Sequence, residues 1–452
     1  MFQQKFIGRK KELAFLEQLY QEQKAQLVIF YGRRRVGKTE LIRQFIKDKP
    51  HIFYLADERD DVSNLTELKK IMARYLGNPL LEKANILEWV ELFEAFSKEN
   101  KEKVIIVVDE FPYLIKSNSA IPSLFQKSWD LYLANKNIML ILLGSSVRMM
   151  ETQVLGSASP LYGRRTAQWK LEPLPFSQVA SFFPKYSNEE LFQSYTALDG
   201  IPLYLLQFDP NQSPRENIKS KIFTKGMLLY QEVEILLRQE LREPAYYFSI
   251  LKAIAFGRNK FGEIVNFTQL DKTIISKYIE TLTLLKIVEK EFPVTQKKET
   301  RQAHYVITDN YVRFWFRFVY PYKSLIEEDR QDLLFSQIKE DYQLYLSTIF
   351  ERVCREFLQR EARYGRMGRW WHKDSEIDVV GINEATKEIV FAECKWQENV
   401  DARALLKQLK EKAKLVDWHI QNRKESYVLF AKRFKEKIKE PHLRLFELED
   451  LR

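Results

Sequence analysis

The stretch YGRRRVGKTE, residues 31–40, decides the fold, because it joins the apolar run QLVIFYG (26–32) to the helix pattern TELIRQFIKD (39–48). It satisfies G-x-x-x-x-G-K-[S/T] with Gly32, Gly37, Lys38 and Thr39, and with Arg33, Arg34, Arg35 and Val36 filling the loop. A strand that enters a glycine-bounded turn and leaves as a helix gathers backbone N–H groups and a helix N-terminus around an anion. The spacing therefore predicts a P-loop for ATP, in which Lys38 reaches the β- and γ-phosphates and Thr39 ligates Mg2+.

The partner of such a loop is a strand ending in acids. VIIVVDEFPYL (104–114) ends in Asp109 and Glu110, a magnesium-binding carboxylate followed by a water-activating one. LLGSSVRMM (142–150) closes another apolar run with Ser145 and Ser146, which either sense the γ-phosphate and attacking water or cap the next helix. In SPLYGRRTAQ (159–168), Arg164 or Arg165 is a candidate arginine finger, and a finger acting in trans implies a homo-oligomer.

Further apolar runs at 51–57, 103–110 and 137–146 are nearly continuous, as parallel strands covered on both faces require. Helix-period segments separate them, so an α/β fold with a P-loop parallel sheet is expected over 1–170. From 171 to 235 the pattern is that of a helical lid. Residues 236–325 read as three helices and a charged hairpin with Lys297, Lys298 and Arg301 near its tip, which resembles a winged helix and offers DNA a recognition helix and a wing. From 335 to 452 a long helix, two strands, a helix and two more strands return the chain to α/β character.

The 452 residues are too many for one core, and 45% hydrophobic with 30% charged residues is an ordinary globular composition. Lys and Arg exceed Asp and Glu by 72 to 62, giving +10, which favours a polyanion such as DNA as partner. Two cysteines, Cys354 and Cys394, exclude a disulfide framework and a thiolate zinc site. No apolar leader or membrane-length run is evident, so a cytoplasmic protein without membrane contact is expected.

FIGRKKEL (6–13), the P-loop, VVDEFPYL, GSS, PLYGRR and GIPLYL (200–205), in this order and spacing, resemble the archaeal-type ATPases, a signal-transduction branch of the AAA-related P-loop ATPases. The resemblance implies that the segment containing Gly8 and Arg9, and that containing Pro202, lie near the adenine side of the nucleotide.

SEIDVVGINEATKEIVFAECKW (375–396) reads as two strands around a turn, and a hairpin centred between Ala385 and Thr386 sets Asp378 opposite Glu393. Lys395 shares that face, since side chains repeat every second residue. Two carboxylates and an ammonium in the most apolar runs of a domain suit Mg2+ or Mn2+ and a water beside it. The set resembles the PD-(D/E)xK nuclease superfamily, so the C-terminal domain is expected to be restriction-endonuclease-like. Glu351, in STIFERVCREFL, matches the additional carboxylate found in that superfamily. With the front end, the whole chain resembles ATPases carrying the DUF234 domain. His372 and Gln408 are candidate neighbours of the site, whereas Lys407, Lys410, Lys412 and Lys414 read as a solvated basic face. Two functions fit: ATP hydrolysis controlling a metal-dependent DNA endonuclease, or an ATP-driven switch whose nuclease-like module only binds DNA or protein.

Overall fold

The computed structural model describes residues 6–241, 243–296 and 303–452. The chain divides into two compact units, one running to Pro173 with Ile201–Leu203 added, the other formed by Leu174–Gly200 and Tyr204–Arg452.

The first unit is built on five parallel strands, β1 (Gln26–Tyr31), β2 (His51–Leu55), β3 (Val104–Asp109), β4 (Ile138–Gly144) and β5 (Ala167–Lys170), in the order β2-β3-β4-β1-β5. Every residue of β1, β3 and β4 is buried, which is why these runs carry no polar alternation. The order sets β4 between β1 and β3. The P-loop, Ser145 and the Asp109–Glu110 pair thus leave three adjacent strands at their carboxyl ends, where open α/β sheets hold ligands. Below them Phe125 meets the rings of Trp89, Phe93 and Phe111 at 5.5, 5.3 and 5.0 Å. Emptying that position with Phe125→Ala costs about 3–5 kcal/mol. The short strand β5 escapes a reading by apolar runs because its four residues, AQWK, are half-exposed.

In the second unit, helices Pro244–Ala255, Phe261–Thr268 and Lys272–Leu284 lead into an antiparallel hairpin of β6 (Val288–Glu291) and β7 (His304–Ile307). The tip with Lys297, Lys298 and Arg301 lies outside the described residues. The hairpin stem is fastened elsewhere in the unit. Glu291 pairs with Arg355 at 2.8 Å, His304 stacks on Trp371 at 4.2 Å, and the Val294 N–H donates to the Arg369 carbonyl at 3.0 Å.

The C-terminal sheet has the order β12-β11-β10-β9-β8, comprising β8 (Arg366–His372), β9 (Ser375–Asn383), β10 (Glu388–Lys395), β11 (Lys424–Ala431) and β12 (Leu443–Glu447). β8, β9 and β10 are antiparallel, and β10, β11 and β12 parallel. Strand β8 adds to the expected pattern. Its sequence, RMGRWWH, is half-exposed and broken by an irregularity between Gly368 and Trp370, so it lacks an apolar signature. On one face Ile377, Val380 and Phe391 pack against Leu405, Leu406 and Leu409 of helix Ala402–Ala413. On the other, Trp396 meets Phe350 of the long helix Gln331–Gln359 at 5.4 Å. No helix of the described residues is long and apolar enough to cross a membrane.

Candidate functional site

At the end of β1 the loop turns through Gly32, where a Cβ would stand 2.4 Å from the Leu171 carbonyl oxygen, so no side chain fits. Arg35 and Gly37 take left-handed backbone, φ 71° and 89°, and Gly37 caps helix Lys38–Ile46. Lys38 is buried, and its Nζ donates to the Gly32 and Arg33 carbonyls at 2.9 Å each. Burial lowers its pKa to about 8, against the raising pull of Glu110 and Asp109. Thr39 Oγ1 donates to Asp109 Oδ2 at 2.6 Å, which ties the helix to the end of β3. Burial pushes the Asp109 carboxyl above its ordinary range.

Glu110 sits at φ 54°, uncommon for a residue with a side chain. Its Oε1 accepts from Ser145 Oγ at 2.6 Å. Ser146 makes no side-chain cap bond to the following helix. Arg9, at φ 62° and following Gly8 at φ 77°, is a buried brace: it donates to the Val36 carbonyl at 3.1 Å, the Glu172 carbonyl at 2.7 Å and Glu12 at 3.1 Å. Pro202 lies against the loop, its Cγ 3.8 Å from where a Gly37 Cβ would stand. Arg34 donates to the Tyr113 hydroxyl at 3.4 Å.

In the C-terminal sheet, the register runs from Glu388 opposite Asn383 to Ala392 opposite Val379, and Glu393 on β10 and Asp378 on β9 follow just beyond the last of these pairs. Both are buried. Asp378 Oδ2 accepts from the Cys394 N–H at 2.8 Å. Glu393 Oε1 accepts from Lys395 at 3.1 Å and from Lys412 at 2.8 Å, while Glu393 Oε2 is buried with no hydrogen-bond partner. Burial and then the Glu393 charge raise the Asp378 carboxyl, and burial and then Asp378 raise that of Glu351 well above the carboxylate range. Lys395 is held charged by Glu393 and Asp378, which together outweigh its burial.

These carboxyls crowd one another electrostatically, and the unsatisfied Oε2 calls for a cation. Among the described residues no three His, Cys, Asp or Glu side chains converge as a preformed metal cluster. Glu351 Oε2 faces Arg369 at 3.9 Å. Asp378 and Glu393 still fit magnesium, an ion usually held by one or two carboxylates, waters and substrate phosphates. Lys412 was expected on a solvated face, but it reaches Glu393. It follows buried Leu409 by three residues, a position at the edge of the apolar stripe that could have revealed it. Gln408, one turn before Lys412, and His372, at the end of β8, are both exposed.

A family described as an ATPase domain predominantly from Archaea matches residues 6–208, and DUF234, described as archaeal and bacterial proteins of unknown function, matches residues 315–411. An uncharacterized protein of Methanocaldococcus jannaschii is 36% identical over 455 residues, covering 98% of this chain and 99% of its own length. The chain belongs to the archaeal-type ATPases with a C-terminal DUF234 domain. An uncharacterized ATP-binding protein of the same organism is 59% identical to this ATPase over 44 residues, 10% of the chain and 75% of the relative. The Walker-type ATPase of Pyrococcus abyssi shares its fold with a TM-score of 0.51 at 22% identity, over 69% of this chain and 96% of that one. In the ATPase, Arg164 forms a two-pronged ion pair with Asp130 at 3.0–3.2 Å, and Arg165 lies 4.5 Å over the Tyr162 ring. The side chains of Lys38, Thr39 and Glu110 bond instead to the Gly32 and Arg33 carbonyls, Asp109 and Ser145 respectively.

Proposed function

We propose that the protein couples ATP hydrolysis to a divalent-metal-dependent DNA endonuclease in its C-terminal sheet. At the P-loop, the backbone of residues 32–37 receives the phosphates and Lys38 exchanges its two carbonyl partners for phosphate oxygens. Thr39 and Asp109 would hold Mg2+, which neutralises charge on the β- and γ-phosphates. Glu110 orients the attacking water, and Ser145 steadies the carboxylate that does so. Arg9 and Pro202 keep the loop in shape from the adenine side. Arg164 or Arg165 supplies transition-state charge to a neighbouring copy, which makes the protein a homo-oligomer.

The nuclease reading is carried by one observation: the buried Asp378–Glu393 pair, with an unsatisfied oxygen on Glu393 and the Lys395 ammonium beside it. Asp378 and Glu393 would hold Mg2+ or Mn2+, which would offset the negative charge of the phosphodiester that otherwise repels an incoming hydroxide. Lys395 orients the attacking water, and Glu351, its carboxyl raised, is poised to accept or give a proton. The three helices and hairpin act as a winged helix that docks DNA through Lys272–Leu284. A second reading, a non-catalytic module in an ATP-driven switch that binds DNA or protein, draws on Lys412, whose added charge neutralises Glu393 as a structural ion cluster would.

The test is cleavage of supercoiled and branched DNA with Mg2+ or Mn2+, with and without ATP. Glu393→Ala is expected to abolish cutting and metal affinity together, whereas Lys395→Ala keeps the metal and loses rate. ATP hydrolysis survives in both. If the parent cuts nothing under any nucleotide condition, and Glu393→Ala binds metal as the parent does, the switch reading replaces the nuclease one.

A further inference from the structure

A cleft of about 400 Å³ opens between the β6–β7 hairpin, the last turns of the long helix and β8. Its wall carries Lys290, Phe292, Arg355 and Arg369, with Glu289 among them. Three features suit a nucleotide. Phe292 is half-buried and offers a ring as a stacking platform, sequence-tolerant because every base has a π-face. Lys290 and Glu289 are exposed at the rim, the one a phosphate partner and the other an acceptor for an exocyclic amino group. Arg369 places a buried Nε, without a hydrogen-bond partner, in the cleft wall.

One residue of the cleft wall, Arg369, also touches neighbouring carboxylates. Arg369 reaches Glu351 at 3.9 Å and Glu376 at 3.0 Å. Arg355 follows Glu351 by one helical turn, roughly 6 Å along the axis, so a strand with one phosphate beside Glu351 brings its next unit to the cleft. A volume of this size takes one small ligand, and a base that is paired and stacked in a duplex does not enter it.

We propose that this cleft seats one unpaired nucleotide of a DNA strand, next to the phosphate that reaches Asp378 and Glu393. The inference rests on the nuclease reading for the place of the scissile phosphate, but binding tests it without any cleavage. It makes the substrate a tailed, gapped or branched DNA rather than a blunt duplex.

The experiment measures fluorescence anisotropy of the full-length protein, in EDTA, with a labelled blunt duplex and the same duplex bearing a single-stranded tail. The parent is expected to prefer the tailed form, and Phe292→Ala to bind it about tenfold more weakly with blunt-duplex binding unchanged. Phe292→Trp restores the preference, which separates stacking from a folding defect. Lys290→Glu weakens tailed binding and flattens its salt dependence. Equal binding of both DNA forms by the parent, or tailed binding unaffected in Phe292→Ala and Lys290→Glu, overturns the inference. Cutting in Mg2+ by a parent whose cleft variants bind normally sinks the cleft and spares the nuclease. Tail-specific binding that needs Phe292, without cutting, does the reverse.

Discussion

Raising the pH from 7 to 9 is expected to weaken ATP binding about tenfold, through Lys38. With its pKa lowered to about 8 by burial, Lys38 is mostly charged at pH 7 and about nine-tenths neutral at pH 9. The bound triphosphate requires the ammonium, so above the free protein's pKa binding must take up a proton. The sign follows: affinity is full below about pH 8 and falls as pH rises through it, each further unit costing about 1.4 kcal/mol. The γ-phosphate of ATP completes its ionisation below this window and does not contribute. Titration calorimetry in two buffers of different ionisation enthalpy reads the effect directly, as an uptake approaching one proton per site at pH 9 and close to none at pH 7. Lys38→Arg stays charged throughout and loses the dependence, whatever its absolute affinity. Affinity that is flat from pH 7 to 9.5, or binding at pH 9 with no proton uptake, would refute the account of Lys38 as a desolvated ammonium waiting for phosphate.

The remaining predictions concern separate contacts. Ser145→Ala frees Glu110 and is expected to lower ATP turnover by roughly tenfold with little change in nucleotide affinity, measured as kcat against Kd. Arg9→Met removes three hydrogen bonds from a buried guanidinium and should destabilise the first unit by about 2–4 kcal/mol in denaturant titration. If an arginine finger acts in trans, Arg164→Ala or Arg165→Ala lowers a specific ATPase activity that rises with protein concentration; a rate independent of concentration and of both substitutions removes the idea. Glu351 and Asp378 have raised carboxyl pKa values, so the folded state binds more protons than the unfolded one and stability falls as pH climbs from the ordinary carboxylate range through neutrality. Glu351→Gln should flatten that slope in melting curves, and divalent metal should raise the parent's Tm more at pH 8 than at pH 5.

Much of this was legible where the chain states its environment locally. The buried strands β1, β3 and β4 announce themselves as unbroken apolar runs, and counting outward from a turn brings Asp378 and Glu393 to the same end of the β9–β10 hairpin. Lys38, Thr39, Asp109 and Glu110 are tied to known spacings. The unread parts depend on packing that spacing does not encode. Strand β8 is an irregular, half-exposed edge, so Arg369 was invisible with it. Lys412 belongs to a helix whose rotation over the sheet is set by Leu405, Leu406 and Leu409 together, and only that rotation brings its ammonium to Glu393. Glu351 was read by likeness alone, and its turn toward Arg369 depends on the same unseen strand.

The fastening of the β6–β7 hairpin to β8 bears on how the sheet avoids pairing with other chains. β8 ends its sheet, and an open edge is a template on which a second chain can lay a strand. The Val294 N–H on the Arg369 carbonyl, the His304–Trp371 stack and the Glu291–Arg355 pair place a shield over that edge. A partner that drew the hairpin away would therefore expose a surface inviting runaway self-association, so a fragment meant to carry the C-terminal sheet should begin before residue 244, keeping shield and sheet together.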